Sequence, residues 1–115
     1  MSGRPIDLDT LRRRLPRAWS AETSTLSSAD NPARGQCSVT ALAVQRLCGG
    51  DIVKTETPGG THFYNRIGRA THDLTRSQFH SPIRYDDAPS SAEEALADTT
   101  PAQLEALLKA LERPE

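Results

Sequence analysis

The chain has 115 residues, 36% of them hydrophobic, which suffices for one small domain with a modest core. Its formal net charge is -1, so it lacks the basic field that would hold nucleic acid or an anionic membrane surface. No run approaches the roughly 20 apolar residues that span a bilayer, and "MSGRPIDLDTLRRR" has no apolar h-region of the kind an export signal carries. A cytoplasmic, reducing setting with free thiols is therefore the expectation for the two cysteines.

Leu8, Leu11 and Leu15 recur at helical spacing, which predicts a short helix over residues 7–15 closed by Pro16. Arg12, Arg13 and Arg14 are the one basic run and read as a solvated helix face. Residues 20–36 are rich in Ser, Thr, Asn, Gly and Pro and read as a long irregular loop. A loop that long in a small domain is usually functional or disordered. The stretch "CSVTALAVQRLC", residues 37–48, predicts a central helix. Its polar strip is narrow, Thr40, Gln45 and Arg46, so it is packed on more than one side. Gly49-Gly50 ends it.

Three β-prone runs follow, "DIVKTET", "THFYNRI" and "ATHDLT", joined by "PGG" and "GR". These connections predict antiparallel hairpins. Residues 83–85 are candidates to extend the sheet, and residues 86–100 read as a connector. In "TTPAQLEALLKALERPE", Thr100 is the expected N-cap, Pro101 the first helical residue and Gln103 the capping-box partner. Leu104, Leu107, Leu108 and Leu111 form one apolar stripe. The order predicts a single compact α+β domain over residues 1–115: an N-terminal helix, a buried central helix on a small antiparallel sheet, and a C-terminal helix.

Cys37 stands where the polar loop meets the central helix. A Cys37–Cys48 disulfide fails on geometry, because a helix of that length separates them by about 16 Å, against the roughly 7 Å a disulfide tolerates between Cα atoms. A zinc site is disfavoured too: among Cys37, Cys48, His62, His72 and His80 no C-x₂₋₄-C or H-x₃₋₅-H spacing occurs. A buried structural thiol suits Cys48 at the apolar helix end. It suits Cys37 less well, with Gly35-Gln36 before it and Ser38 after it. A helix start, with its unpaired N–H groups, favours a reactive thiolate.

A nucleophile needs a base, and the base needs an orienting group. His62 and Asp73 fall on adjacent predicted strands. With Gly68-Arg69 as a two-residue turn, Ile67 faces Ala70 and Tyr64 faces Asp73; a four-residue loop instead puts His62 opposite Asp73. Either register puts His62 and Asp73 on one sheet face and His72 on the other. Cys37, His62 and Asp73 thus form a candidate catalytic triad. The Cys37 backbone N–H is a candidate oxyanion donor, helped by Gln36 or Asn31. Trp19 is read as a lid on the core or as a substrate platform. Arg76 and Gln78 are read as ties for the 20–36 loop or as cleft residues, and Phe79 as core. Thr40 and Thr75 are candidates for local hydrogen bonds.

"AWSAETS", "NPARGQCSVTALAVQRLCGG", "HFYNRIG" and "HDLTRSQF" resemble the blocks of the YunG-like family of small, mostly bacterial proteins, over about residues 18–80. More distantly, the order of Cys helix, His strand and Asp strand is similar to the papain-like superfamily, particularly its transglutaminase-like branch. There the second strand ends in Asp-x-Thr, here Asp73-Leu74-Thr75. The likeness implies a reduced papain-like core and carries over Cys37, His62 and Asp73 as the triad. The chain lacks the extra subdomain that builds a deep cleft in larger relatives, so the substrate class stays open. The expected activity is that of a cysteine-dependent hydrolase or acyltransferase on an amide, isopeptide or thioester. It would need no metal or other cofactor and would take a peptide, protein or small acyl substrate. The alternative is a non-catalytic papain-like binding or redox-sensing module.

Overall fold

The computed structural model describes residues 7–26, 30–31 and 33–112. The two ends of the expected 1–115 domain, and residues 27–29 and 32 of the expected loop, lie outside the described residues. Helix α1 spans Leu8–Ala18, with Asp7 as its N-cap accepting from the Thr10 N–H at 2.8 Å. The helix does not stop at Pro16 but runs through it. Proline removes one helical hydrogen bond, yet Leu11, Leu15 and Ala18 are all buried, and Trp19 N–H closes the last turn on Leu15 O at 3.0 Å. Packing of that face carries the helix past the proline.

Helix α2 spans Cys37–Cys48, and every residue from Cys37 to Val44 is buried. It packs on the sheet on one side and on two later helices on the other, as its nearly continuous apolar surface requires. Gly49 ends it with φ +79°, its N–H bonded to Gln45 O at 2.9 Å.

The sheet contains β1 (Asp51–Thr57), β2 (Gly60–Ile67), β3 (Ala70–His72) and β4 (Ala88–Pro89) in the order β3-β2-β1-β4, all pairs antiparallel. The β2–β3 hairpin takes the two-residue register, with Ile67 opposite Ala70 and Asn65 opposite His72. Two expectations are corrected here. The third strand ends at His72 instead of continuing to Thr75, because Asp73 Oδ1 accepts from both the N–H and the hydroxyl of Thr75, each at 3.2 Å. That side-chain turn competes with the ladder. Residues 83–85 form no strand; the fourth strand is Ala88–Pro89, on β1.

Residues 86–100, read as a connector, contain β4 and a short helix, α3 (Ala92–Leu96). Ser91 caps α3, its hydroxyl accepting from Glu94 N–H at 3.1 Å. Helix α4 spans Pro101–Leu111, capped by Thr100, and buries Leu104, Leu107 and Leu111 against α1 and α2. Gln103 gives its N–H to Thr100, but its side-chain carbonyl accepts from Thr99 Oγ1 at 2.7 Å. No helix among the described residues is long and apolar enough to cross a membrane.

Alternation along β2 sets up the site. Phe63 and Asn65 face α2, where Asn65 Nδ2 donates to Ala41 O at 3.0 Å. His62 and Tyr64 face the other way, against residues 79–87: Asp87 N–H donates to Tyr64 Oη at 2.7 Å, and Thr55 Oγ1 donates to Arg84 O at 3.0 Å.

Candidate active site

Cys37 is the first residue of α2, so its backbone N–H has no acceptor within the helix. The chain reaches it through Gly35, at φ +72°. A Cβ at Gly35 would fall 2.6 Å from Ser24 Oγ and 2.8 Å from Leu26 Cβ, so only glycine lets the loop pack this closely before the thiol.

His62 is 2% exposed. Its Nε2 lies 2.8 Å from Asp73 Oδ2, and it lines the same cavity as Cys37. With Nε2 engaged by Asp73, the nitrogen left for the sulfur is Nδ1. Phe79 stands edge-on to the imidazole at 4.8 Å, and Tyr64 stacks on it at 5.9 Å. Burial alone would favour the neutral ring, but the hydrogen bonds and charges of Asp73 and Cys37 outweigh it and push the imidazole up to about 9. Burial likewise opposes ionisation of Asp73. Hydrogen bonds from His62, Tyr85 and Thr75, with the imidazolium charge, hold its carboxyl below the usual carboxylate range.

Asp73 is fixed on both oxygens. Oδ2 accepts from His62 and from Tyr85 Oη at 2.6 Å; Oδ1 accepts from Thr75. Gln78 extends the support. Its Nε2 donates to Thr75 Oγ1 at 3.0 Å, its Oε1 accepts from Gly35 N–H at 3.4 Å, and its carbonyl accepts from Asn31 Nδ2 at 3.0 Å. One side chain thus joins the Asp73 turn to the loop before Cys37.

Cys37 and His62 line a cavity of about 450 Å³ between residues 24–26, the β1–β2 turn and the start of α4. Gln78 and Phe79 line it too. Phe79 is half-buried beside the imidazole, where the sequence reading made it core. The remaining candidates lie elsewhere. Gln36 is fully buried, but its amide faces residues 20–23, accepting from Thr23 Oγ1 at 2.8 Å and donating to Ser20 O at 3.3 Å. Asn31 is directed at Gln78. Trp19 is buried, and its Nε1 donates to Thr40 Oγ1 at 2.9 Å, joining α1 to α2. Arg76 is exposed. None of these four lines the Cys37 cavity. His72 pairs instead with Arg12, 3.1 Å from its Nη2, and His80 is exposed. Cys48 lies at the opposite end of α2, where burial and the charge of Asp7 push its thiol up. No group of His, Cys, Asp or Glu suited to a metal ion occurs among the described residues.

Sequence reasoning missed Tyr85. It sits in an irregular segment with no periodicity, and only the tertiary fold brings it to Asp73.

The family model described as "YunG protein" matches residues 7–114. The chain belongs to the YunG family. It is also 42% identical to "Uncharacterized protein YunG" of Bacillus subtilis (strain 168) over 99 residues, 86% of each chain. No solved structure gives a significant match. In this YunG-family protein, "GQCSVTAL" forms the start of α2, and "HDLTRSQF" forms the Asp73 turn and the 3₁₀ turn Arg76–Gln78.

Proposed function

We propose that this YunG-family protein is a cysteine-dependent hydrolase or acyltransferase acting on an amide, isopeptide or thioester carbonyl. The observation that supports this reading most directly is His62, buried, joined to Asp73 through one ring nitrogen and sharing the wall of a cavity with Cys37. A structural thiol needs neither a base nor an orienting carboxylate. The order of Cys37, His62 and Asp73 along the chain also resembles that of papain-like and transglutaminase-like enzymes, although there the Asp ends a strand and here it follows one, and a free thiol at such a site suits a cytoplasmic protein.

In this mechanism the Cys37 thiol gives its proton to His62, and its sulfur forms a bond to the carbonyl carbon while the C=O π pair moves to oxygen. The Cys37 N–H stabilises the resulting oxyanion. Re-formation of C=O breaks the bond to the nitrogen or sulfur leaving group, which takes its proton from His62. A thioester on Cys37 remains. Water, or an amine in transfer, gives a proton to His62 and attacks the thioester, and the thiolate departs. Asp73 holds the ring so that one nitrogen faces the reaction.

Acylation by a panel of aryl thioesters, read by intact-mass spectrometry, tests the proposal. An acyl adduct on Cys37 that turns over, and forms at least about tenfold more slowly in His62→Ala, is the expected result. No adduct from any thioester, together with alkylation no faster than that of a free thiol, would leave a binding or redox-sensing role for Cys37.

A further inference from the structure

We propose that Tyr85 is a positioning residue that sets how tightly His62 holds its proton, acting through Asp73. The effect on His62 rests on geometry; its catalytic consequence rests on the acyl-transfer reading above.

Tyr85 Oη and His62 Nε2 donate to the same oxygen, Asp73 Oδ2, at 2.6 and 2.8 Å. A carboxylate oxygen that accepts two hydrogen bonds offers less charge to each donor. The phenol therefore competes with the imidazolium for one lone-pair region, while Thr75 occupies the other oxygen. Burial and the adjacent carboxylate push the Tyr85 phenol up, so it remains a donor across the neutral range. Tyr85 is 37% exposed and belongs to a segment without regular structure. Its neighbours hold it there. Arg84 O and Asp86 N–H both bond Thr55 Oγ1, Asp87 N–H bonds Tyr64 Oη, and the Tyr85 ring meets Tyr64 edge-on at 5.0 Å.

Removing the hydroxyl returns Oδ2 to His62 alone. The imidazolium should then be held more tightly and be a weaker acid toward a leaving group. The test is an NMR titration of the His62 ring in the full chain, from about pH 6 to about pH 10, in wild type and Tyr85→Phe. Tyr85→Phe should raise the His62 midpoint by about half a unit.

A second measurement works without loss of the side chain. The chain has two tyrosines, so in Tyr64→Phe, biosynthetic 3-fluorotyrosine labels Tyr85 alone. The more acidic phenol is a stronger donor, and the His62 midpoint should fall below that of unlabelled Tyr64→Phe. A midpoint that is unchanged or moves the opposite way in either experiment overturns the proposal. If Cys37 is inert in every protein while the midpoint shifts as stated, the acyl-transfer reading fails and the role of Tyr85 stands.

Discussion

His62 Nε2 stands 2.8 Å from Asp73 Oδ2, with side-chain exposures of 3% and 7%. Neither partner has water to replace the other, so the pair links stability to pH. His62 is raised from 6.5 to about 9. Its contribution is complete below about pH 6.5 and is lost as pH rises through about 9. Asp73 is shifted the opposite way, so its contribution is present above the unfolded carboxyl value, 3.8, and is lost as pH falls through its lower folded value. Asp73→Asn should therefore be less stable than wild type at neutral pH by about 1–3 kcal/mol, and the gap should narrow above pH 9 as His62 loses its charge. Thermal unfolding at both pH values measures this; a gap independent of pH would mean that the charge pair contributes nothing.

The two thiols should differ in reactivity. Cys37 borders a cavity beside an imidazolium, whereas burial and Asp7 disfavour the thiolate of Cys48. Alkylation of the native protein at neutral pH should reach Cys37 first, by roughly tenfold or more in rate. Peptide mapping after brief iodoacetamide treatment resolves the two sites, and equal rates would contradict the assignment of Cys37 as nucleophile.

Gln78 makes three hydrogen bonds that join the Asp73 turn to residues 31 and 35. Two of them use its side chain. Gln78→Ala should cost about 1–2 kcal/mol in chemical denaturation. It should also loosen the approach to Cys37, seen as faster amide exchange at Gly35. Wild-type exchange at Gly35 in the variant would show that the loop is held by other contacts.

Pro16 is exposed and sits inside α1, where it removes the bond to Arg12 O. Pro16→Ala should restore that bond and raise the unfolding temperature, by an amount matching about 1 kcal/mol. A lower unfolding temperature would mean that proline's effect on the unfolded chain outweighs the missing bond.

Where local chemistry decides the structure, the sequence reading reached it. The bounds of α2 followed from an apolar run between a loop and Gly49; the hairpin was left with a two-residue and a four-residue register, and the structure takes the first. Period-two alternation placed His62 and Asp73 on one face, and they meet, but Asp73 does so from a turn just past the end of β3. Strand β3 stops early through a local turn, Asp73 to Thr75, that the run of β-prone residues hid. Two features required information that no window contains. Helix α1 passes Pro16 because Leu15 and Ala18 are buried together. The amides of Gln36 and Asn31 are engaged by residues distant in sequence. Helix α3 was legible and overlooked: Ser91 and Glu94 have capping-box spacing.

The order of the site along the chain has a consequence for synthesis. The thiol leaves the ribosome first, on α2, and His62, Asp73 and Tyr85, its proposed base and that residue's two supports, come later. Domains fold largely as units once their residues have emerged. A nascent chain thus exposes a cysteine without its base until most of the domain has been made. We infer that chemical competence is among the last properties the chain acquires. Chains stalled before β2 should react with iodoacetamide no faster than a free thiol, and fast labelling of such chains would show that Cys37 needs neither His62 nor Asp73.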